Sequence, residues 1–413
     1  MLIRIYPYLL IFLALTTVGQ WLSINWWAPN LTINFIEWCL CFYTLLYPTL
    51  KYKYIYKLRK NKAYRFFNLF FIYTIILSIY SLIKYSNQGK LADFANLAVF
   101  CMAMLSCVCV YTLSFPQWFN YTCKKLYRYL PIIAIIYMPF AKSQLFGDLM
   151  GFLCMPSLLL LCCFKILPRK QKYIWFCFAL LIIISSYLGD ARSNVIKYGF
   201  ALIVGYTFFW DKFYTKFKNL IWIFFITPFI FLFLGITNVF NIFETDKYLD
   251  SQSFNESTIS DTRTTVYEEV LTSAVTNNYI IWGRGIGKGY ESNFQEWLTS
   301  SNNKSTTKIN ASERQAESGI LNVFTWGGTI YIIIYTLFCI SAVFYGIYRS
   351  NNRFCRNMAI YFAFYYMYSW IENFQSFSIS FISSWFIVAS CISPYFRNMT
   401  NIEFKEYLNK LLK

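Results

Sequence analysis

Long apolar runs dominate the chain, and only short polar stretches separate them. Each run holds roughly 18–22 residues, which is enough for a helix to cross a hydrocarbon core of about 30 Å. The backbone inside a bilayer must satisfy its own hydrogen bonds, and this favours helices over isolated strands. About twelve spans are predicted, near residues 5–23, 32–50, 66–83, 94–115, 129–141, 149–165, 174–189, 195–210, 219–237, 317–347, 357–373 and 379–395.

One long stretch departs from this pattern. Residues 238–316 are polar, and together with Glu317 they hold more than half of the chain's 19 acidic residues. The sequence therefore predicts an all-α polytopic membrane protein with one large, partly helical external loop. Its predicted parts are transmembrane helices 1–9 over 1–237, the loop over 238–316, transmembrane helices 10–12 over 317–395, and a basic tail over 396–413.

Composition agrees with a membrane class, because 57% of the residues are hydrophobic and only 14% are charged. The net charge of +18 does not indicate a nucleic-acid partner. Most of the 37 Lys and Arg residues lie in alternate short loops and the C-terminal tail, where they set orientation. This bias predicts that both termini are cytoplasmic and that the loop over 238–316 is external.

Histidine is absent from the chain. Its absence excludes Ser–His and Cys–His nucleophile pairs and His-ligated metal sites. A general base here must be Asp or Glu, and a fixed cation must be Arg or Lys. The cysteines lie in predicted spans or predicted cytoplasmic loops, so no disulfide framework is expected. Glu244 and Asp246 are interpreted as a solvated acidic turn, and neither a metal nor a cofactor is expected.

Several ionisable residues fall at the predicted outer ends of spans. Charges at membrane depth are costly and usually face a functional cavity. A cavity open to the outer leaflet explains their placement, and interfacial side chains that reach toward water are the alternative. These residues are Glu37, Lys84, Asp93, Asp190, Arg192, Lys197 and Glu372.

The loop contains a predicted helix that starts near residue 261. Ser260 or Asp261 is a plausible N-cap, and an apolar stripe follows at helical spacing. Arg263 then lies in the first turn, which is unfavourable for a cation unless an anion binds there. The stripe consists of Val266, Val270 and Ala274.

A glycine-rich segment, WGRGIGKGY, follows at residues 282–290. Its glycines permit close approach of the backbone, and it displays Arg284 and Lys288. It lacks the final Lys-Ser/Thr pair of a P-loop.

A second helix is predicted from Ser312, because Ser312 and Gln315 resemble a capping box. In such a helix Arg314, Glu317 and Ser318 share one face. That face is either part of a catalytic site or a local Arg–Glu ion pair.

The order of Arg263, WGRGIGKGY (282–290) and ERQAESGILNVFTWGGTIY (313–331) resembles the large external loop of bacterial O-antigen polymerases of the Wzy type. These proteins share a superfamily with O-antigen ligases. The family is similar in its number of membrane helices, and its arginine in a small-residue turn is matched by DARSN at 190–194. The ligases carry a histidine before the closing glycine-rich helix, so its absence here favours a polymerase. The first five spans match only in hydropathy.

The resemblance implies transfer of a glycan from undecaprenyl pyrophosphate onto another lipid-linked repeat unit, at the periplasmic face of the bacterial inner membrane. Arginines stabilise a departing diphosphate well, and a carboxylate can accept the proton of the acceptor hydroxyl. The candidates are Glu317, Arg314, Asp261 and Asp190 for catalysis, Arg192, Arg263, Arg284 and Lys288 for pyrophosphate binding, and Trp282 and Tyr290 for sugar stacking.

The expected partners are the lipid-linked oligosaccharide, membrane lipid and a chain-length regulator protein. Two other functions compete with the polymerase. A flippase for lipid-linked oligosaccharides has a similar number of spans, but it does not need a large external loop. A membrane acyltransferase usually relies on a histidine.

Overall fold

The computed structural model describes residues 2–22, 36, 39–40, 42–44, 46–51, 53–85, 91–138, 150–151, 153–188, 192–207, 211–236, 263–291, 313–373, 375 and 377–412. Within these residues the chain is helical apart from short connections and one pair of two-residue strands, so the predicted all-α class is confirmed. Parts of the predicted spans near 32–50 and 149–165, and much of the polar loop, lie outside the described residues.

The helices fall into two sets along the chain. In the first half they are α1 (Leu2–Leu22), α2 (Lys53–Arg59), α3 (Arg65–Tyr85), α4 (Leu91–Leu105), α5 (Cys109–Leu113), α6 (Pro116–Tyr137), α7 (Cys154–Leu161), α8 (Arg169–Leu188) and α9 (Arg192–Thr207). In the second half the elements are α10 (Asp211–Phe217), α11 (Ile223–Ile236), α12 (Arg263–Thr276), β1 (Tyr290–Glu291), β2 (Glu313–Arg314), α13 (Gly319–Tyr348), α14 (Arg353–Tyr368), α15 (Ile379–Ile392), α16 (Pro394–Asn398) and α17 (Asn401–Leu412).

The core lies around α14 and α15, which are buried on nearly every side. Helices that are apolar all round are expected in such a position. Helix α3 packs antiparallel to α13 beside this pair. The Phe70 ring stacks on Phe338 with 5.1 Å between centroids, and the Thr74 and Tyr331 hydroxyls lie 2.8 Å apart in a hydrogen bond. The interior is therefore rich in aromatic side chains, and some buried hydroxyls pair across helices, as Thr74 does with Tyr331.

The surface of α3 is as apolar as its buried side. Ile72, Ile76, Ile79 and Ile83 follow one another at helical spacing, and each is between 52% and 71% exposed. A water-facing helix would carry charged or polar residues on this face. Contact with lipid hydrocarbon explains the stripe, since lipid is as apolar as the side chains themselves.

Two helical stretches among the described residues, Lys62–Tyr85 and Gly319–Tyr348, are long and apolar enough to cross a membrane. The pair Leu97–Leu113 and Pro116–Tyr137 would make a third span, but it is bent by 119°. Shorter apolar helices cover Arg4–Leu15, Leu220–Leu234 and Ile379–Ile392. These helices fit a membrane protein, and the larger number of about twelve spans stays a prediction.

The region of the fourth and fifth predicted spans differs from expectation. Residues 123–128, which the sequence predicts as a loop, are part of α6, and the chain turns at 114–115 instead. Cys123 is buried in α6, whereas Lys124 and Arg128 are exposed. The basic residues therefore mark the polar face of an amphipathic helix rather than a break between two helices.

Close helix packing predicts that substitution of Gly205 destabilises the protein, because α9 crosses α7 at this residue. A Cβ atom at this position would overlap the backbone carbonyl of Leu161. We expect Gly205→Ala to lower the free energy of unfolding by about 1–3 kcal/mol, because backbone cannot move aside as a side chain can. Thermal unfolding of the purified protein in detergent measures the change.

Gly199→Ala is the matched control on the same helix. Nothing lies within 4 Å of a Cβ built at Gly199. Its stability should stay level or rise by up to about 1 kcal/mol, since alanine favours helix more than glycine does. Equal unfolding temperatures for the two variants would contradict the crossing described here.

Candidate functional site

Helix α12 is the part of the polar loop that the sequence predicts best. It begins at Arg263 and ends at Thr276. Its predicted apolar stripe, Val266, Val270 and Ala274, is buried, so the prediction is confirmed. Burial of this stripe packs α12 against the rest of the fold. This part of the loop is therefore a packed element.

Helix α13 is broken at Gly328, whose φ of 65° and ψ of −165° are not helical. A break of this kind removes intrahelical hydrogen bonds and leaves backbone groups that need other partners. The carbonyl of Thr325 accepts from Arg284 N at 2.7 Å, and Thr329 N donates to Ile280 O at 2.8 Å. Residues 280–285 therefore replace the bonds that the break removes from α13.

Glycine makes this exchange of backbone bonds sterically feasible. Gly283 has a φ of +72°, and a Cβ there would overlap the backbone of Trp326. A Cβ at Gly328 would overlap the carbonyl of Ile281. The predicted close backbone approach of the glycine-rich segment is thus confirmed at Gly283.

The two cations of the glycine-rich segment contact their own surroundings. Arg284 donates from Nη1 to Gly289 O at 3.0 Å, and its Nη2 lies 3.6 Å from a Glu291 carboxylate oxygen. The ammonium of Lys288 lies 4.3 Å from the centre of the Tyr85 ring. Arg284 therefore closes the turn, and Lys288 contributes to holding the segment on α3.

The predicted helix from Ser312 is wrong. Residues 313–314 form β2, where Arg314 pairs with Tyr290 in antiparallel register, and α13 begins only at Gly319. The helical face predicted for Arg314, Glu317 and Ser318 is therefore wrong as well. Ser318 is the N-cap residue of α13, and Glu317 precedes it with an exposed side chain.

Tertiary hydrogen bonds explain why no helix forms at this point. The Gln315 amide donates to Gly287 O at 2.7 Å, and its oxygen accepts from Trp326 Nε1 at 3.3 Å. The Asn322 side chain bonds both the N–H and the carbonyl of Ala316, at 2.8 and 3.0 Å. Gln315 thus links to the glycine-rich segment instead of capping a helix.

Residues 369–372, which follow α14, form a turn that three other helices contact. Helix α13 reaches it through Gly319 N, which donates to Glu372 O at 3.1 Å. Helix α12 reaches it through Tyr267, whose hydroxyl donates to Trp370 O at 2.6 Å. Helix α9 reaches it through Lys197, whose ammonium lies 3.0 Å from a Glu372 carboxylate oxygen. We call these residues the 369–372 turn.

Three candidate residues lie close along the backbone to residues that contact this turn. Arg263 begins α12 and lies one turn, roughly 6 Å along the axis, before Tyr267. Arg192 begins α9 and lies roughly 7.5 Å along its axis before Lys197. Glu317 lies two residues before Gly319. The side chains of Arg192, Arg263 and Arg314, and all of Asp190 and Asp261, lie outside the described residues.

The two aromatic candidates have opposite environments. Trp282 is 66% exposed, whereas Tyr290 is fully buried. An exposed indole offers a face to a sugar ring. The ring of Tyr290 is covered by protein in this structure and packs inside the loop.

No protein-family model matches the chain, and no curated protein is significantly similar to it.

Sequence reasoning missed two contributors to this region. The capping-box pattern assigns Gln315 only a capping role. Lys197 and Glu372 are each predicted as outer charges, but no pattern in the sequence pairs them. The signal for Glu372 is the polar stretch that separates α14 from α15, in which Ser369 and Gln375 are buried.

The ion pair between Lys197 and Glu372 should stabilise the junction of α9 with the 369–372 turn. Glu372→Gln leaves the Lys197 ammonium, whose side chain is 7% exposed, beside a neutral amide. We expect the free energy of unfolding to fall by about 1–3 kcal/mol. Removal of one partner from a fully buried ion pair costs roughly 3–5 kcal/mol of stability. The loss expected here is smaller, because the Glu372 side chain is 32% exposed.

The double variant Lys197→Met with Glu372→Gln serves as the comparison in the same thermal unfolding assay. It removes both charges, so it should recover much of the stability that Glu372→Gln alone loses. A double variant that is less stable than Glu372→Gln alone would contradict the pairing.

Proposed function

We propose that this chain is a surface-polysaccharide polymerase of the O-antigen, or Wzy, type. The observation that carries the proposal is the convergence of three candidate-bearing elements on the 369–372 turn. Helix α9 starts at Arg192, α12 starts at Arg263, and Glu317 directly precedes the N-cap of α13. Two cations and one carboxylate from distant parts of the sequence are thus carried by elements that meet at one end of the bundle.

The proposed reaction follows from these residue types. The acceptor hydroxyl oxygen attacks the anomeric carbon of the donor glycan, and the bond from that carbon to the pyrophosphate oxygen breaks. Glu317 accepts the hydroxyl proton, with Asp190 and Asp261 as the other carboxylate candidates. Arg192, Arg263 and Arg314 stabilise the charge on the departing undecaprenyl pyrophosphate, because guanidinium binds phosphate oxygens through two parallel hydrogen bonds.

Arg284 and Lys288 have a supporting role in this proposal. Arg284 already binds Gly289 O and contacts Glu291, and Lys288 lies over Tyr85. They position the glycine-rich segment and add positive potential near the site. Trp282 is the sugar-stacking candidate with an accessible ring.

The proposal places the chain in the bacterial inner membrane, with both termini in the cytoplasm and the polar loop in the periplasm. Positive charge at the predicted cytoplasmic loops supports this orientation. The partners are the lipid-linked repeat unit, surrounding membrane lipid and a chain-length regulator protein.

A flippase for lipid-linked oligosaccharide is the second candidate, because a broken helix such as α13 is a feature of many transporters. Discontinuous helices form substrate sites in many transporters, where the freed backbone groups face the substrate. In this chain the Thr325 carbonyl and the Thr329 N–H bind residues 280–285 instead. Those groups are therefore occupied by protein, which supports the polymerase over the flippase.

Disruption of the gene separates these two functions. Loss of a polymerase leaves a surface lipid that bears a single repeat unit, whereas loss of a flippase leaves none. Electrophoresis of the surface lipid shows the difference directly.

We expect Arg263→Ala and Arg314→Ala each to slow chain growth by about 10²–10³-fold, because each removes a cation from the departing diphosphate. Arg263→Lys should keep part of the activity, since lysine offers one charge without the planar fork. The measurement is the product ladder that purified protein forms from a synthetic lipid-pyrophosphate repeat unit.

Lys304→Ala is the matched control, because it removes a cation from a stretch of the loop with no predicted chemistry. It should form the normal ladder at normal protein abundance. Normal polymer length from either arginine variant would overturn the assignment of that residue.

The reaction should also proceed in the presence of a chelator, since no metal is part of the proposed mechanism. Glu244 and Asp246 lie outside the described residues, and their sequence alone permits a cation site. Complete loss of the ladder with EDTA, reversed by added divalent metal, would establish a metal requirement instead.

A further inference from the structure

A cavity of about 480 Å³ opens at the end of the bundle opposite the 369–372 turn. Its volume falls within the roughly 300–1,000 Å³ of ordinary ligand pockets. Four basic residues line it, and no acidic residue does so within the described chain. The polar lining residues are Lys165, Lys172, Arg353, Lys405 and Asn409.

Packing between helices fixes the frame of this basic pocket. Helix α17 lies against the start of α14, where the Phe404 ring stacks on Phe354 with 4.1 Å between centroids. The Arg353 N–H donates to Asn401 Oδ1 at 2.8 Å and joins the same two helices. Lys405 and Arg353 are thus held on adjoining elements, and Lys172 enters from the first turn of α8.

Four basic side chains around one cavity give it a positive potential, which favours the binding of an anion. Lysine and arginine both bind phosphate oxygens through charge-assisted hydrogen bonds. We propose that this basic pocket binds the phosphate of an anionic phospholipid headgroup. The inference does not rest on the glycosyl-transfer reaction proposed above.

An apolar surface next to the pocket identifies a lipid rather than a soluble phosphate as the ligand. Tyr173, Ile174 and Phe176 follow Lys172 on α8, and they are 61%, 48% and 41% exposed. Acyl chains of a lipid whose phosphate lies at Lys172 would cover this surface. Basic pockets at the cytoplasmic ends of membrane helices bind anionic headgroups for the same reason.

The test compares two double variants of the full chain in detergent by native mass spectrometry. Lys172→Gln with Lys405→Gln removes two of the lining cations from α8 and α17. Lys170→Gln with Lys410→Gln removes two exposed cations from the same two helices, outside the pocket lining. Both variants change the net charge equally, so nonspecific attraction changes equally.

Each protein is titrated with phosphatidylglycerol, with phosphatidylcholine and with glycerol 3-phosphate. We expect phosphatidylglycerol to bind the parent chain and the Lys170/Lys410 variant alike, and about tenfold more weakly to the Lys172/Lys405 variant. An equal loss of phosphatidylglycerol affinity in the two variants would rule out this pocket as the binding site. Phosphatidylcholine or glycerol 3-phosphate binding as tightly as phosphatidylglycerol would overturn the choice of an anionic lipid.

Discussion

The break in α13 leaves backbone groups that need hydrogen-bond partners, and the described part of the polar loop is positioned by supplying them. At Gly328 the helix gives up backbone hydrogen bonds, and a buried unpaired amide or carbonyl is costly. Residues 280–285 supply the missing partners through main-chain groups. The glycine-rich segment is therefore held in place largely by its backbone hydrogen bonds.

Two kinds of contact then join the helices at this end. The exchange at Gly328 fixes the glycine-rich segment on α13, and the 369–372 turn joins α9, α12 and α13 to α14. Gln315 reinforces the first of these contacts, because it binds Gly287 of the glycine-rich segment and Trp326 of α13. A rigid frame of this kind suits a site whose charged groups must be placed before the reaction begins.

Local patterns predicted the all-α class and several details of the described helices. The apolar stripe of α12 and the role of Gly283 as a point of close approach both follow from short-range spacing, and the structure confirms them. The helix predicted from Ser312 failed because Gln315 and Asn322 form hydrogen bonds that no local pattern encodes. Lys197 and Glu372 are 175 residues apart, so periodicity could not pair them.

The candidate site was predicted less completely than the fold. Residue types and the absence of histidine limited the chemistry to guanidinium, ammonium and carboxylate groups. The placement of the elements that carry those groups depends on how α9, α12 and α13 pack around α14. Helix packing of this kind is decided by contacts between distant residues, and a single sequence does not reveal them.

The interrupted helix α13 also has a consequence for the biogenesis of the protein. Residues 280–285 leave the ribosome before residues 319–348 do, so this segment already exists when the interrupted helix is synthesised. A free α13 would be expected to close into a continuous helix, because that form satisfies its own backbone. The insertion of this hydrophobic stretch and the docking of the preceding loop are therefore coupled steps of maturation.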